Sequence, residues 1–411
     1  MTERHPRRIV IAGAGIAGLT AALAFARRGF SVRVFEQAPR FEPFGAGLQL
    51  SPNATRILDS LGVLDLLRPK AVQPAAVLLR DATSLKVLAR IPLGEFAERR
   101  WGAPYLAVHR ADLHAALATR TSQEKNVAVA TGTRITGDAA VAGGAVILTV
   151  ERQDRREEIE ADLVLGADGV WSALREKLFS PSRRRFSGSL AWRATVTVDS
   201  PSGQAFSAVS TADCVTAFLD PQFHLVAYPV SGGEAFNLVA FTKGGADADG
   251  RSSAADISVL KQAMSRAPPA LAHVVQEIGA WTAWPLNTVE QDERWTRDGR
   301  LVLIGDAAHA MTPFAAQGAA MAIEDAATLA QAVVGATADP AAALTAWERE
   351  RKARVAKVAR RGALNKLAWN AAGPLALGRN LLLRMRSPES LAADLDWLYG
   401  WRMPAERESV A

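Results

Sequence analysis

Cysteine is almost missing from this chain. Cys214 stands alone among 411 residues, so neither an intramolecular disulfide nor a CxxC redox pair can form. That suits a reducing, cytoplasmic setting. The six histidines, His5, His109, His114, His224, His273 and His309, form no HExxH and no Cys/His cluster, so no metal site is expected. No basic stripe interleaved with aromatics and no zinc-finger spacing points to nucleic acid. Internal repeats and low-complexity tracts are also lacking.

One uncharged run, Ile9 to Ala26, follows Arg7 and Arg8 and has the look of a signal peptide or membrane span. Gly13, Gly15 and Gly18 interrupt it, and the chain returns at once to Arg27 and Arg28. A βαβ unit accounts for this better, and no membrane span is expected. The net charge of +6 is concentrated late, in Arg349, Arg351, Lys352, Arg354, Lys357, Arg360 and Arg361, and reads as a solvated helix face.

What is present begins with Ile9 to Ala12, a short β-branched strand, then Gly13-Ala14-Gly15-Ile16-Ala17-Gly18 and a helix from Ile16 to Arg28. Glycines at this spacing permit a tight turn, close approach of a pyrophosphate, and helix–strand packing, with the phosphates at the positive helix end. Glu36 ends the next strand, at the offset of about 20 residues expected for the acid that binds a ribose 2′-OH. An acid there suits FAD or NAD and not NADP.

Two further motifs sit after strands. Leu163 to Leu165 runs into Gly166-Ala167-Asp168-Gly169-Val170-Trp171-Ser172, and Leu301 to Ile304 runs into Gly305-Asp306-Ala307-Ala308-His309. An aspartate at a strand's carboxyl end can accept hydrogen bonds from a polyol, and a following helix offers N–H groups to an anion. Between these lie strand-like runs from Val72 to Ile91 and at Leu190 to Val198, Val215 to Leu219, His224 to Val230 and Phe236 to Phe241. A loop is expected over Gly45 to Asn53, and helices from Gln317 to Val334 and from Ala341 to Arg386.

In this order, the glycine hexapeptide, Arg110-Ala111-Asp112-Leu113, the GADGVWS stretch and GDAAH resemble the group A flavoprotein monooxygenases, the para-hydroxybenzoate hydroxylase-like fold. Within them the chain is similar to the salicylate hydroxylase-like subgroup. The resemblance implies an α/β fold: a Rossmann-type FAD-binding domain with a parallel sheet, an inserted, mainly antiparallel substrate domain, and C-terminal helices. The segments expected are 1–71, 105–181 and 286–335 for FAD, 72–104 and 182–285 for substrate, and 336–411 for the helical end. It implies that Gly13, Gly15, Ile16, Ala17 and Gly18 cradle the FAD phosphates and Glu36 the adenosine ribose. Arg110 would contact the phosphate–ribityl region, Asp168 serve FAD and the incoming nicotinamide, and Asp306 bind the ribityl chain. Pro313 through Gln317, Gly318 and Ala319 would lie beside the isoalloxazine. Ala310 departs from the family's usual proline and is expected to loosen that loop.

The absence of a second GxGxxG unit fits a transient NADH or NADPH, with NADH favoured. His224 and Tyr228 are four apart on one strand and so share a face. With Pro229 they match a His and Tyr that face the substrate in such relatives, where they would bind or deprotonate a ring hydroxyl. The implied activity is hydroxylation of a hydroxylated aromatic or heteroaromatic acid by O2 through a flavin C4a-hydroperoxide, with or without decarboxylation, in a monomer or homodimer. Alternatives are a same-fold enzyme acting on a larger quinone- or polyketide-like molecule, and a non-catalytic FAD-binding sensor. Cys214, Arg193 and Trp192 read as core or surface residues of the same sheet, Trp281 and Trp284 as core. His114 and His273 read as helix-surface residues, and His309 as loop architecture, not a base.

Overall fold

The structure is a computed structural model that describes residues 8–404 apart from 42–45, 143, 154, 180–183, 246–255, 291–292 and 336–338. The flexible terminus expected around His5 lies outside the described residues. A six-stranded sheet runs in the order Thr296–Arg297, Leu301–Leu303, Leu163–Gly166, Arg8–Ala12, Ser31–Phe35, Val127–Ala130. All its pairs are parallel except the one between Thr296–Arg297 and Leu301–Leu303. Parallel pairing puts the carboxyl ends of three strands at one edge. Register completes the alignment, because Ala12 pairs with Gly166 and Gly166 with Leu303. Gly13, Ala167 and Ile304 therefore leave the sheet side by side, where such sheets bind ligands.

Helix Ile16–Ala26 is buried along its whole length between this sheet and helix Gly318–Gly335. Both helices are rich in alanine, which lets them pack closely. A second sheet of seven strands runs Thr282–Val289, Arg184–Thr197, Ala235–Lys243, Phe223–Val230, Cys214–Leu219, Ala76–Asp81, Val87–Pro92. It is antiparallel except where Cys214–Leu219 pairs with Ala76–Asp81. The strand Thr282–Val289 spans the boundary expected near residue 285.

The two-residue period of a strand gives this sheet two different faces. Trp192, Phe223, Leu225, Phe236 and Leu238 pack under helices Pro201–Ser207, Ser258–Ala263 and Pro269–Glu277. The opposite face carries Arg193, Ala217, His224, Val226, Tyr228, Val239 and Phe241, and it lines a cavity. Both faces are covered, so Ala235–Lys243 is buried over its first eight residues, which are apolar except for Asn237 and Thr242.

The loop expected over Gly45 to Asn53 instead contains a strand. Gly47–Leu50 pairs antiparallel with Leu106–His109, and the pair packs against strand Phe223–Val230 and against helices Arg110–Ser122 and Gly318–Gly335. The C-terminal part forms helices Pro340–Trp369 and Gly373–Met385. Among the described residues no helix is long and apolar enough to cross a membrane.

Candidate active site

The loop Gly13 to Gly18 uses its three glycines in two ways. A Cβ on Gly18 would lie 1.9 Å from the Gly13 carbonyl oxygen, and one on Gly13, where φ is +97°, 2.6 Å from that of Ala167. These two are needed for packing. A Cβ on Gly15 would meet nothing within 4 Å, and Gly15 lines the cavity at the start of helix Ile16–Ala26. Gly15 therefore faces open space at a positive helix end, the place a pyrophosphate would occupy.

Glu36 is tied to this loop. Its carboxylate accepts from Ala14 N at 2.8 Å and Ala38 N at 2.9 Å. His114, expected at the helix surface, instead donates through Nε2 to the Ala14 carbonyl at 2.7 Å. The loop is thus braced from both sides before any ligand arrives. Arg110 opens helix Arg110–Ser122 with its backbone N bonded to the Ala46 carbonyl at 3.1 Å. Its side chain is exposed and reaches the cavity.

Asp168 accepts from Leu174 N through Oδ2 at 3.2 Å, while its buried Oδ1 has no partner among the described residues. Burial raises its pKa against the hydrogen bonds that oppose it. Buried Arg175 joins this turn to the next motif, donating to the carbonyls of Val170 and Ala307, both at 2.7 Å. Asp306 follows Gly305 on the cavity wall. A Cβ on Gly305 would lie 3.1 Å from that of Ala17, so Asp306 stands beside the phosphate loop. Helix Gly318–Gly335 starts at the same cavity, which Gln317, Gly318 and Ala319 line.

This region, of about 430 Å³, runs from Gly15 past Asp306 to His224 and Tyr228, with Pro313 on its wall. Open space over Gly15 and an exposed Asp306 along one cleft fit an elongated dinucleotide. Gly13, Gly18, Glu36 and Asp168 stand behind the cavity wall and brace it. Ala310 does not loosen its loop: its carbonyl accepts from Val289 N at 3.0 Å, and the residue is 5% exposed. Among the described residues no cluster of His, Cys, Asp or Glu could hold a metal.

At the far end, His224 is fully buried. Its Nδ1 lies 3.2 Å from the Phe218 carbonyl, and a carbonyl can only accept, so Nδ1 carries the proton. Nε2 is left with a lone pair and no partner among the described residues. Burial pushes the His224 pKa down to about 3, so the ring is neutral. Tyr228 is held as the phenol, because burial raises its pKa despite Arg193 and a hydrogen bond with Gln49. Gln49 also accepts from Tyr105 Oη at 2.7 Å.

Composition and spacing do not expose three contributors. Gln49 lies in the strand Gly47–Leu50, and Tyr105 immediately precedes its partner strand Leu106–His109. Trp369, the last residue of helix Pro340–Trp369, stacks on His224 at 4.3 Å. Trp281 is core as expected, but Trp284 is 42% exposed and lies beside the Arg193 guanidinium. His273 is exposed as expected.

The late basic run is not wholly a solvated face. Arg351 is 3% exposed and bonds Asp325 and Glu324, each at 2.7 Å. Arg354 bonds Glu324 at 2.9 Å and the carbonyls of Trp397 and Leu398. His309 Nε2 meets Asp325 at 2.5 Å. Burial alone would raise the Asp325 carboxyl, but His309 and Arg351 hold it down at about 2. Asn53 donates to Glu324 at 2.7 Å, and Gln317 to Ser51 at 2.9 Å. The network thus clamps the helical end to the loop that carries Gln317, and His309 is architecture.

Comparison with known proteins agrees with this geometry. A family model described as FAD binding domain matches residues 7–362. The 3-hydroxybenzoate 6-hydroxylase of Polaromonas naphthalenivorans (strain CJ2) is 34% identical over 398 residues, 96% of each chain. The 6-hydroxynicotinate 3-monooxygenase of Pseudomonas fluorescens is 35% identical over 367 residues, 86% of this chain and 89% of its own. Among solved structures, Klebsiella pneumoniae HpxO complexed with FAD and uric acid aligns with a TM-score of 0.81 at 25% identity, covering 96% of both chains. A salicylate hydroxylase substrate complex has the same fold, with a TM-score of 0.81 at 22% identity over 99% of this chain and 98% of that one. With a family match over most of its length and relatives above 30% identity, the chain belongs to the FAD-binding group A flavoprotein monooxygenases.

Proposed function

We propose that this enzyme hydroxylates a small hydroxylated aromatic or heteroaromatic acid, using FAD, a reduced nicotinamide nucleotide and O2. The observation that carries the reading is the neutral His224 ring, whose unpartnered Nε2 shares a cavity face with Tyr228 and opens onto the dinucleotide cleft. The proposal treats the six-stranded sheet as the FAD unit and the cavity face of the seven-stranded sheet as the substrate unit.

Gly15, Ile16 and Ala17 would take the FAD phosphates, Glu36 the ribose, and Arg110 and Asp306 the phosphate–ribityl region. Pro313 with Gln317 to Ala319 would border the ring system. When bound, FAD supplies the oxygen-transfer chemistry. The protein binds, orients and excludes water. His224 Nε2 accepts a hydrogen bond from the ring hydroxyl and draws electron density toward a phenolate, which favours attack on an electrophilic oxygen. Tyr228 orients the same hydroxyl. Trp369, Phe241 and Phe314 cover this end and keep it apolar, which limits wasteful loss of activated oxygen.

A wall so filled with aromatic rings favours a single-ring substrate over a polyketide. The family's named relatives, which act on 3-hydroxybenzoate and 6-hydroxynicotinate, support the same class. The test is reductant consumption by purified, yellow protein against a panel of such acids, with product analysis. Stimulated oxidation with a hydroxylated product is expected from at least one acid, and both are expected to fall at least tenfold in His224→Gln. If no acid stimulates oxidation or yields such a product, the substrate class is wrong.

A further inference from the structure

Arg193 has a position that core packing does not explain. It stands on strand Arg184–Thr197 and pairs with Val239, which pairs with Val226. The adjoining row on one side is Ala191, Phe241, His224, and on the other Thr195, Asn237, Tyr228. All point to the cavity face. Arg193 therefore sits two strands away from the midpoint between His224 and Tyr228, about 10 Å at ordinary strand spacing. Between backbones, that spacing is on the scale of one substituted ring lying across the strands.

The guanidinium also lacks a direct partner. Among the described residues it has no hydrogen bond and no ion pair, and its Nε is buried without a partner; the Trp284 ring lies 5.9 Å away, and Tyr228 and Asp306 act on it without bonding it. Burial pushes its pKa down although Tyr228 and Asp306 act against the shift. Other arginines have direct partners for their guanidinium: Arg351 has two carboxylates and Arg175 two carbonyls. Arg361 also lines the cavity, but the Asp394 charge acts on it.

We infer that Arg193 is the anion receptor of the substrate pocket, binding the ring carboxylate while His224 and Tyr228 hold the ring hydroxyl. The inference rests on the proposed hydroxylase reading and sharpens it. The pocket selects acids bearing a carboxylate and a hydroxyl on well-separated ring carbons, because the two receptors stand two strands apart, about 10 Å, along one cavity face. It discriminates against neutral phenols of the same shape.

The test uses intact FAD-loaded protein, wild type, Arg193→Gln, Arg193→Lys and, as a control, Arg361→Gln. Dissociation constants are read from flavin difference spectra for 3-hydroxybenzoate, 6-hydroxynicotinate and the uncharged 3-hydroxybenzamide. A charge-assisted bond contributes about 1.5–3 kcal/mol, which corresponds to a loss of about 10–150-fold. That loss is expected for the acids in Arg193→Gln, with under threefold change for the amide, and a smaller acid-selective loss in Arg193→Lys. Flavin content and Tm serve as the folding control. Equal weakening of acid and amide, or an acid-selective loss in Arg361→Gln alone, overturns the assignment while leaving the hydroxylase reading intact. A shifted flavin reduction potential without acid selectivity would mean that the anion at Arg193 is the flavin, which also overturns it. If wild type binds none of the acids and hydroxylates none, the hydroxylase reading fails and the receptor with it.

Discussion

The indole of Trp369 lies over the imidazole of His224, centroids 4.3 Å apart and planes 24° from parallel. One ring ends a C-terminal helix and the other stands in mid-strand, so the lid over the proposed hydroxyl-binding group comes from the far end of the chain. A stacked aromatic pair contributes about 0.5–1.5 kcal/mol beyond its buried area. Trp369→Leu keeps an apolar cover but loses the stack. It should retain FAD, weaken the bound aromatic acid by about 2–12-fold, and raise the share of reductant that ends as H2O2. Peroxide released per reductant consumed, measured beside flavin content, checks this. Unchanged coupling would remove Trp369 from the site.

The same histidine should make the fold acid-sensitive. Its pKa falls from an ordinary 6.5 to about 3 on burial. Between those values the unfolded chain binds a proton that the native state does not. The stability that the neutral ring represents is present in full above about pH 6.5 and is lost as pH falls toward 3, at up to about 1.4 kcal/mol per pH unit. His224→Gln removes this titration. Urea unfolding at pH 7 and pH 5 should show a smaller loss for the variant than for wild type. An equal loss would mean that His224 is not buried neutral.

The parallel-sheet half of the site is legible in the sequence because its signals are local. Gly13, Gly15 and Gly18 lie within six residues, and Asp168 and Asp306 each follow a short apolar strand. His224 and Tyr228 are picked out by local signals too, the strand period and the His/Tyr spacing before Pro229 that resembles the family. Gln49, Tyr105 and Trp369 are not, because each reaches the cavity through pairing or packing with residues far along the chain. The strand Gly47–Leu50 is hidden by its flanking glycine, serine and proline, and its partner Leu106–His109 lies more than fifty residues on. Strand Arg134–Ala142 is missed because alanine and glycine dilute its β-branched signal. Arg351 and Arg354 look like surface cations until Glu324 and Asp325 are seen beneath them.

That buried cluster is the most vulnerable electrostatic feature of the fold. Glu324 and Asp325 are fully buried, and Arg351 contacts both. Removing Arg351 takes one cation from two buried carboxylates and leaves Glu324 to Arg354 and Asp325 to His309, and breaking a buried pair in this way costs about 3–5 kcal/mol. Arg351→Met should lower stability by that amount. Arg8→Met, which breaks the exposed contacts to Glu160 and Asp162, should change it by under about 1 kcal/mol. Arg351→Met should also weaken FAD, since Asn53 and Gln317 link the cluster to the cofactor cleft. Denaturant midpoints and flavin titration check both parts.

Gly15 and Gly18 separate folding from cofactor binding. Alanine at 18 would drive its Cβ against the Gly13 carbonyl, which is backbone and cannot move aside without opening the turn. Gly18→Ala should lose several degrees of Tm even without cofactor. Alanine at 15 meets only open space, and alanine favours a helix start no less than glycine does in chain entropy. Gly15→Ala should therefore keep the apoprotein's Tm within a few degrees. In the proposed complex its methyl would stand where the pyrophosphate must approach the backbone, so FAD affinity should fall by at least tenfold. Calorimetry of apoprotein and fluorescence titration with FAD decide the matter. Normal flavin binding by Gly15→Ala would mean that the phosphates lie elsewhere, and the roles given to Glu36 and Asp306 would have to be redrawn with them.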